Sequence, residues 1–142
     1  MKIIFILLIF IFPNIASAKN LNFTKIVNLK SPWGSTFIDD NNILITEKSG
    51  AIKLINIKNK NIDIINHNIN FLEHGQGGLL DVLFNENFVY ISYSENRGSG
   101  KTSTSIAKSK FNKKDLIFKN IFQANPPIDS GYHFGSRLAI KR

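Results

Sequence analysis

From Ser35 to Phe122 the chain alternates apolar and polar residues with period two, in short runs closed by polar turns. Ser35-Thr36-Phe37-Ile38 meets Asp39-Asp40-Asn41-Asn42, and Ile43-Leu44-Ile45-Thr46 follows. The turn Glu47-Lys48-Ser49-Gly50 then leads to Ala51-Ile52-Lys53-Leu54-Ile55, and Asn61-Ile62-Asp63-Ile64-Ile65 comes next. β-branched runs bounded by Asn, Asp and Gly are the mark of successive hairpins. No stretch carries the 3.6-residue period over a useful length, so the sequence predicts an all-β fold.

The rhythm repeats. Leu79 to Phe84, the turn Asn85-Glu86-Asn87, Phe88 to Tyr93, a polar loop from Ser94 to Lys101, Thr102 to Phe111 and Leu116 to Phe122 form a second set of four strands. The two units open at Trp33-Gly34 and Gly77-Gly78, about 44 residues apart, and Phe134-Gly135-Ser136-Arg137-Leu138-Ala139-Ile140 opens a third. Four strands per unit at a period of roughly 40–50 residues is the pattern of a β-propeller blade. Such a ring needs at least about four blades. The expectation is therefore two blades plus the opening strand of a third, the N-terminal part of a longer ring. Assembly from several copies and a β-sandwich are the alternatives that the pattern leaves open.

Not all of the 142 residues belong to this fold. Met1-Lys2, the apolar run Ile3 to Phe12 and the site Ala16-Ser17-Ala18 predict a secretory signal peptide over 1–18, with the folded domain over 19–142. The apolar run is shorter than the roughly 20 residues of a membrane-spanning helix, so no stable membrane anchor is expected after cleavage. A periplasmic or secreted location follows. The chain has no cysteine, which excludes disulfides and thiolate zinc sites. Its formal charge of +8 comes from lysines scattered among apolar residues. Nucleic-acid binding would gather them on one face, so no nucleic-acid partner is expected.

Two motifs carry candidate chemistry. Gly75-Gln76-Gly77-Gly78 places one long amide, both donor and acceptor, in a turn before a buried strand. His133, in Ser130-Gly131-Tyr132-His133-Phe134-Gly135, stands before the third unit in the same phase as Gln76 before the second. In a propeller, equivalent positions of successive blades converge, so Gln76 and His133 would face one site. A histidine there suits general-base work near neutral pH. Gly100-Lys101-Thr102 mimics the end of a phosphate-binding loop. However, Glu95 occupies the place of its first glycine, and the segment reads as a hairpin loop. His67 and His74 are read as surface residues, and no residue is assigned as a metal ligand.

Pro32-Trp33-Gly34, Thr46-Glu47-Lys48-Ser49-Gly50, Gly75 to Val82, Val89 to Ser94 and His133-Phe134-Gly135-Ser136-Arg137-Leu138 occur in that order. In this the chain resembles the N-terminal part of the soluble PQQ-dependent aldose sugar dehydrogenases, the glucose/sorbosone dehydrogenase family, from about Leu29 to Leu138. The resemblance implies a six-bladed propeller that binds pyrroloquinoline quinone and oxidises the anomeric hydroxyl of an aldose to a lactone. It implies His133 as the base, with hydride passing to the quinone, and Gln76 as a cofactor-binding residue. It also implies an external electron acceptor, and calcium whose ligands fall beyond Arg142. Some relatives place an aspartate before the histidine where Tyr132 stands here, which removes an adjacent carboxylate and, with it, the implied preference for glucose. Arg137 is expected to bridge strands rather than to act in catalysis. The 142 residues alone are expected to be inactive, because an incomplete ring leaves strand edges unpaired. The rival reading is a non-catalytic secreted propeller that binds sugars or a protein partner.

Overall fold

The computed structural model describes residues 21–141; the predicted signal peptide lies outside them. These residues fold into nine strands and no helix. The first sheet contains β1 (Pro32–Phe37), β2 (Asn42–Glu47), β3 (Ile52–Asn56) and β4 (Ile62–His67), paired antiparallel in sequence order. The second contains β5 (Leu79–Asn85), β6 (Phe88–Asn96), β7 (Thr102–Lys110) and β9 (Lys119–Gln123), also antiparallel. They pack face to face as successive blades.

Local chemistry sets the hairpins. Asp39 Oδ1 accepts the backbone N–H groups of Asn41 and Asn42 at 2.8 and 2.9 Å, closing the β1–β2 turn. Asn56 Oδ1 does the same for Lys58 and Asn59 at 3.1 Å. Glu86 and Asn87 both have positive φ, 48° and 65°, the backbone that a two-residue hairpin between twisted strands requires.

Period-two alternation gives each blade one face for its neighbour. Leu44, Ile52, Leu54 and Ile65 of the first sheet meet Leu79, Val82, Val89, Ile91 and Ala107 of the second in one core. Burial of each large side chain contributes roughly 1.5–3 kcal/mol. The sheets approach closely at Gly34, where a β-carbon would stand 2.7 Å from Val82 N and 2.8 Å from Asp81 Cα. Beside it, buried Thr46 donates its hydroxyl to Leu80 O at 2.5 Å and accepts Gly34 N at 3.1 Å. Glycine at 34 is thus a condition of blade packing.

Two expectations are corrected. The run Leu116 to Phe122, read as one strand, is split. β8 (Asp115–Leu116) crosses back to pair in parallel with β4 as a fifth strand of the first sheet, and only β9 completes the second. The apolar alternation runs unbroken through the crossing, because Leu116 and Phe118 both plug the core between blades. Asn68 fixes the crossing, its amide oxygen accepting Phe118 N and its amide nitrogen donating to Phe118 O. The second correction concerns the opening strand of a third blade. Residues 133–141 form no strand, since no described strand lies beside them to pair with.

At the rim of the second blade, Glu95 accepts bonds from Ser105, Gln123 and Asn120, and so ties together β6, β7 and β9. Tyr93 donates to Asn120 Oδ1 at 2.5 Å. Burial first, and the neighbouring Glu95 carboxylate second, push the Tyr93 phenol from 10.0 up to about 12, against the opposing bond to Asn120.

Two outcomes are expected of the full-length protein. Gly34→Ala forces a methyl group into backbone atoms and lowers unfolding free energy by about 1–3 kcal/mol in urea titrations. As pH rises from 10.0 to about 12, the unfolded chain loses the Tyr93 proton while the folded chain keeps it. Stability from this group is therefore complete below pH 10.0 and is lost through about 12, and a Tyr93→Phe variant lacks that component of the alkaline loss.

Candidate functional site

The glycine turn before β5 and the segment after β9 meet at one place. Gly75 has φ 57°, and a β-carbon on it would collide with Gly131 O, so the two backbones touch there. Gln76 N donates to Gly131 O at 2.7 Å, and Gly77 N donates to His74 O at 2.8 Å, closing the turn. Lys48, just past β2, donates its ammonium to Gly75 O at 2.5 Å and accepts Leu79 N on its own carbonyl at 3.1 Å. The first blade thus braces the turn that the second presents.

Gln76 and His133 come together directly. Gln76 Oε1 accepts the backbone N–H of His133 at 3.1 Å across 57 residues of sequence. Since only the amide oxygen can accept that proton, the orientation is fixed and the amide nitrogen is the end left to donate to a ligand. His133 is exposed and holds φ 63°, a conformation that costs a non-glycine residue roughly 1–3 kcal/mol and is concentrated at functional sites. The ring of Tyr132 lies 6.3 Å from that of His133, tilted by 50°.

The next residues hold this loop down. Phe134 is buried, its ring against Gly77 and its carbonyl accepting the Thr104 hydroxyl at 2.6 Å. Ser92 donates to Ser136 O at 2.7 Å. The buried carboxylate of Asp81 accepts Leu138 N at 2.7 Å and Arg137 Nη1 at 3.2 Å. Arg137 is therefore a bridge to the second blade, as expected, with its side chain 81% exposed.

Of the two histidines read as surface residues, His74 is exposed and His67 is not. His67 is half-buried, and its Nε2 lies 2.7 Å from Gly50 O beside Phe71. His74 is exposed but packs against Gly131 within the site's own turn. The roles of Ser92 and Thr104 carry no sequence signal, because serine and threonine on a strand read as ordinary solvent-facing positions, and those of Lys48 and Asp81 depend on partners distant in the chain. The phosphate-loop mimic is a hairpin, with Arg97 N donating to Lys101 O and Lys101 N to Gly98 O. Among the described residues no three His, Asp or Glu side chains converge to hold a metal ion.

A family model described as "Glucose / Sorbosone dehydrogenase" matches residues 29–142. The chain belongs to the glucose/sorbosone dehydrogenase family. It is 31% identical over 121 residues to the aldose sugar dehydrogenase YliI of Escherichia coli K12, covering 79% of this chain and 33% of that protein. A crystallised glucose dehydrogenase matches with TM-score 0.75 and 32% identity, over 80% of this chain and 36% of that one. The PQQ-bound aldose sugar dehydrogenase of Streptomyces coelicolor shares the fold at TM-score 0.60 and 18% identity, over 70% of this chain and 32% of that one. The chain thus spans about a third of the length of these relatives, and its two sheets are part of a β-propeller domain.

Removing the Phe134 ring exposes Gly77 and frees the loop. In the full-length protein Phe134→Ala is expected to destabilise by about 3 kcal/mol, near the lower end for a buried phenylalanine. Arg137→Ala is expected to cost about 1 kcal/mol, because the Arg137 side chain is largely solvated and the buried Asp81 carboxylate keeps its bond from Leu138 N. Thermal melts of the two variants check the contrast.

Proposed function

We propose that this chain carries part of the active site of a PQQ-dependent dehydrogenase that oxidises aldoses at the anomeric hydroxyl to lactones. The observation that supports it most is the bond from His133 N to Gln76 Oε1, which brings the two motif residues together and leaves the Gln76 amide nitrogen to donate. Family membership supplies the chemistry to which that pair is suited.

The residues fit one edge of the cofactor. Pyrroloquinoline quinone, when bound, supplies the two-electron acceptor that protein side chains lack. The Gln76 amide nitrogen would donate to one of its oxygens. Lys48 donates to Gly75 O and Arg137 pairs with Asp81, and the cations that meet the cofactor's carboxylates are placed, on the family resemblance, in later blades. Calcium ligands are likewise assigned to that part.

His133 takes the proton from the anomeric hydroxyl, which an imidazole does efficiently because its ordinary pKa lies near neutral pH. Gln76 holds the His133 backbone, so the base does not swing away from the substrate. The aldose loses two electrons in all, and an external acceptor reoxidises the enzyme.

The reading extends to location. A signal peptide over 1–18 would export the protein to the periplasm or beyond, where sugars and external acceptors are found. Among the described residues no helix is long and apolar enough to cross a membrane.

The test supplies PQQ and calcium to the full-length protein and follows dye reduction with a panel of aldoses. Turnover should appear, and His133→Ala should lower kcat by at least about a hundredfold, within the range of a lost general base. Absent turnover, or turnover unchanged in His133→Ala, overturns the reading.

A further inference from the structure

The face of the second blade turned toward residues 130–138 is lined by hydroxyl groups. β6 and β7 pair antiparallel with Ser94 opposite Thr104 and Asn96 opposite Thr102, so Ser92, Ser94, Thr102 and Thr104 project to one side. Ser92 is 1% exposed, and Ser94 and Thr102 are fully buried. A blade face that packs on another sheet is ordinarily apolar, and this one carries buried hydroxyls instead. Here the segment facing it has no strand partner among the described residues, so its backbone carbonyls need donors from elsewhere.

The hydroxyls supply them. Thr102 donates to Ser130 O at 3.2 Å, Thr104 to Phe134 O at 2.6 Å and Ser92 to Ser136 O at 2.7 Å. Asp81 Oδ2 takes Leu138 N at 2.7 Å from the same blade. These bonds fall at every second residue from 130 to 138, omitting only 132. His133 lies between them, with its own N–H held by Gln76.

The geometry points to Thr104 and Ser92, with Asp81, as positioning residues for His133. The Gln76 bond fixes the peptide on the N-terminal side of His133, and the Thr104 bond fixes the carbonyl of the residue that follows it. Between these two anchors the backbone is held at φ 63°, a conformation that a free loop would leave. Ser92 and Asp81 extend the same hold through residue 138. The second blade therefore sets where the imidazole stands through the backbone that follows it. This inference rests on the reading of His133 as the base, but the loop's restraint is measurable without catalysis.

The experiment uses the full-length protein with Thr104→Val, which keeps the shape and removes the donor, Thr104→Ser, which restores it, and Ser92→Ala as a milder second variant. In the cofactor-free protein, amide hydrogen exchange at His133 and Leu138 should be at least about tenfold faster in Thr104→Val and Ser92→Ala, and near wild type in Thr104→Ser. In the PQQ-loaded protein, the same two variants should lose about ten- to a hundredfold in kcat with KM for the aldose nearly unchanged, and Thr104→Ser should recover it. Unchanged exchange in both variants overturns the proposal. So does faster exchange with kcat intact, which would make the hydroxyls merely structural. If the wild-type protein shows no turnover, the dehydrogenase reading has failed, and the exchange rates alone decide whether these residues restrain the loop.

Discussion

The close approach of the two sheets at Gly34 is the contact on which the rest of the molecule depends. With no side chain at 34, β1 lies against the backbone of residues 80–82, and Thr46 can reach Leu80 O. That contact fixes the start of β5, hence the turn from Gly75 to Gly78 before it and the brace from Lys48 to Gly75. A larger residue at 34 would separate the blades, and a loss of registry would pass to the site through a rigid strand. Packing at close-packed density transmits such displacements because the surroundings relax only partly.

The second blade has two unlike faces, and each is explained by what it meets. Toward the first blade it offers Leu79, Val82, Val89 and Ile91 to a neighbouring sheet whose backbone bonds are already made. Toward residues 130–138 it offers hydroxyls and a carboxylate to a segment whose backbone bonds are not made. No buried side-chain nitrogen or oxygen among the described residues lacks a partner. Buried polar groups are costly when unpaired and specify one arrangement when all are paired, so this face orders the histidine loop where an apolar face would leave it free to shift.

Much of the architecture was legible in the sequence because period two and turn chemistry are local signals. The hairpins around Asp39, Asn56 and Glu86-Asn87 stand where the Asn and Asp clusters predict them. The pairing of Gln76 with His133 was legible from their common phase in the repeat. The division of Leu116 to Phe122 between two sheets was not, since alternation records which residues turn inward and not which sheet they join. The hydroxyl face was equally hidden: Ser92 or Thr104 on a strand gives the same pattern whether it faces water or another segment's carbonyls.

The sequence by itself determined an all-β chain of blade-like repeats and the two residues, Gln76 and His133, that a family resemblance marks for chemistry. Those properties reside in residue type and spacing, which survive without any knowledge of contacts. The tertiary structure alone decided that the Gln76 oxygen is spent on His133, that Arg137 serves Asp81, and that the second blade holds the histidine loop by its hydroxyls. Each of those is a choice of partner across 28 to 57 residues, visible in the separations of 44, 28, 30, 57 and 56 in these bonds. Hydrogen-bond partners at such distances are selected by how the blades pack, and no local pattern in the chain encodes that selection.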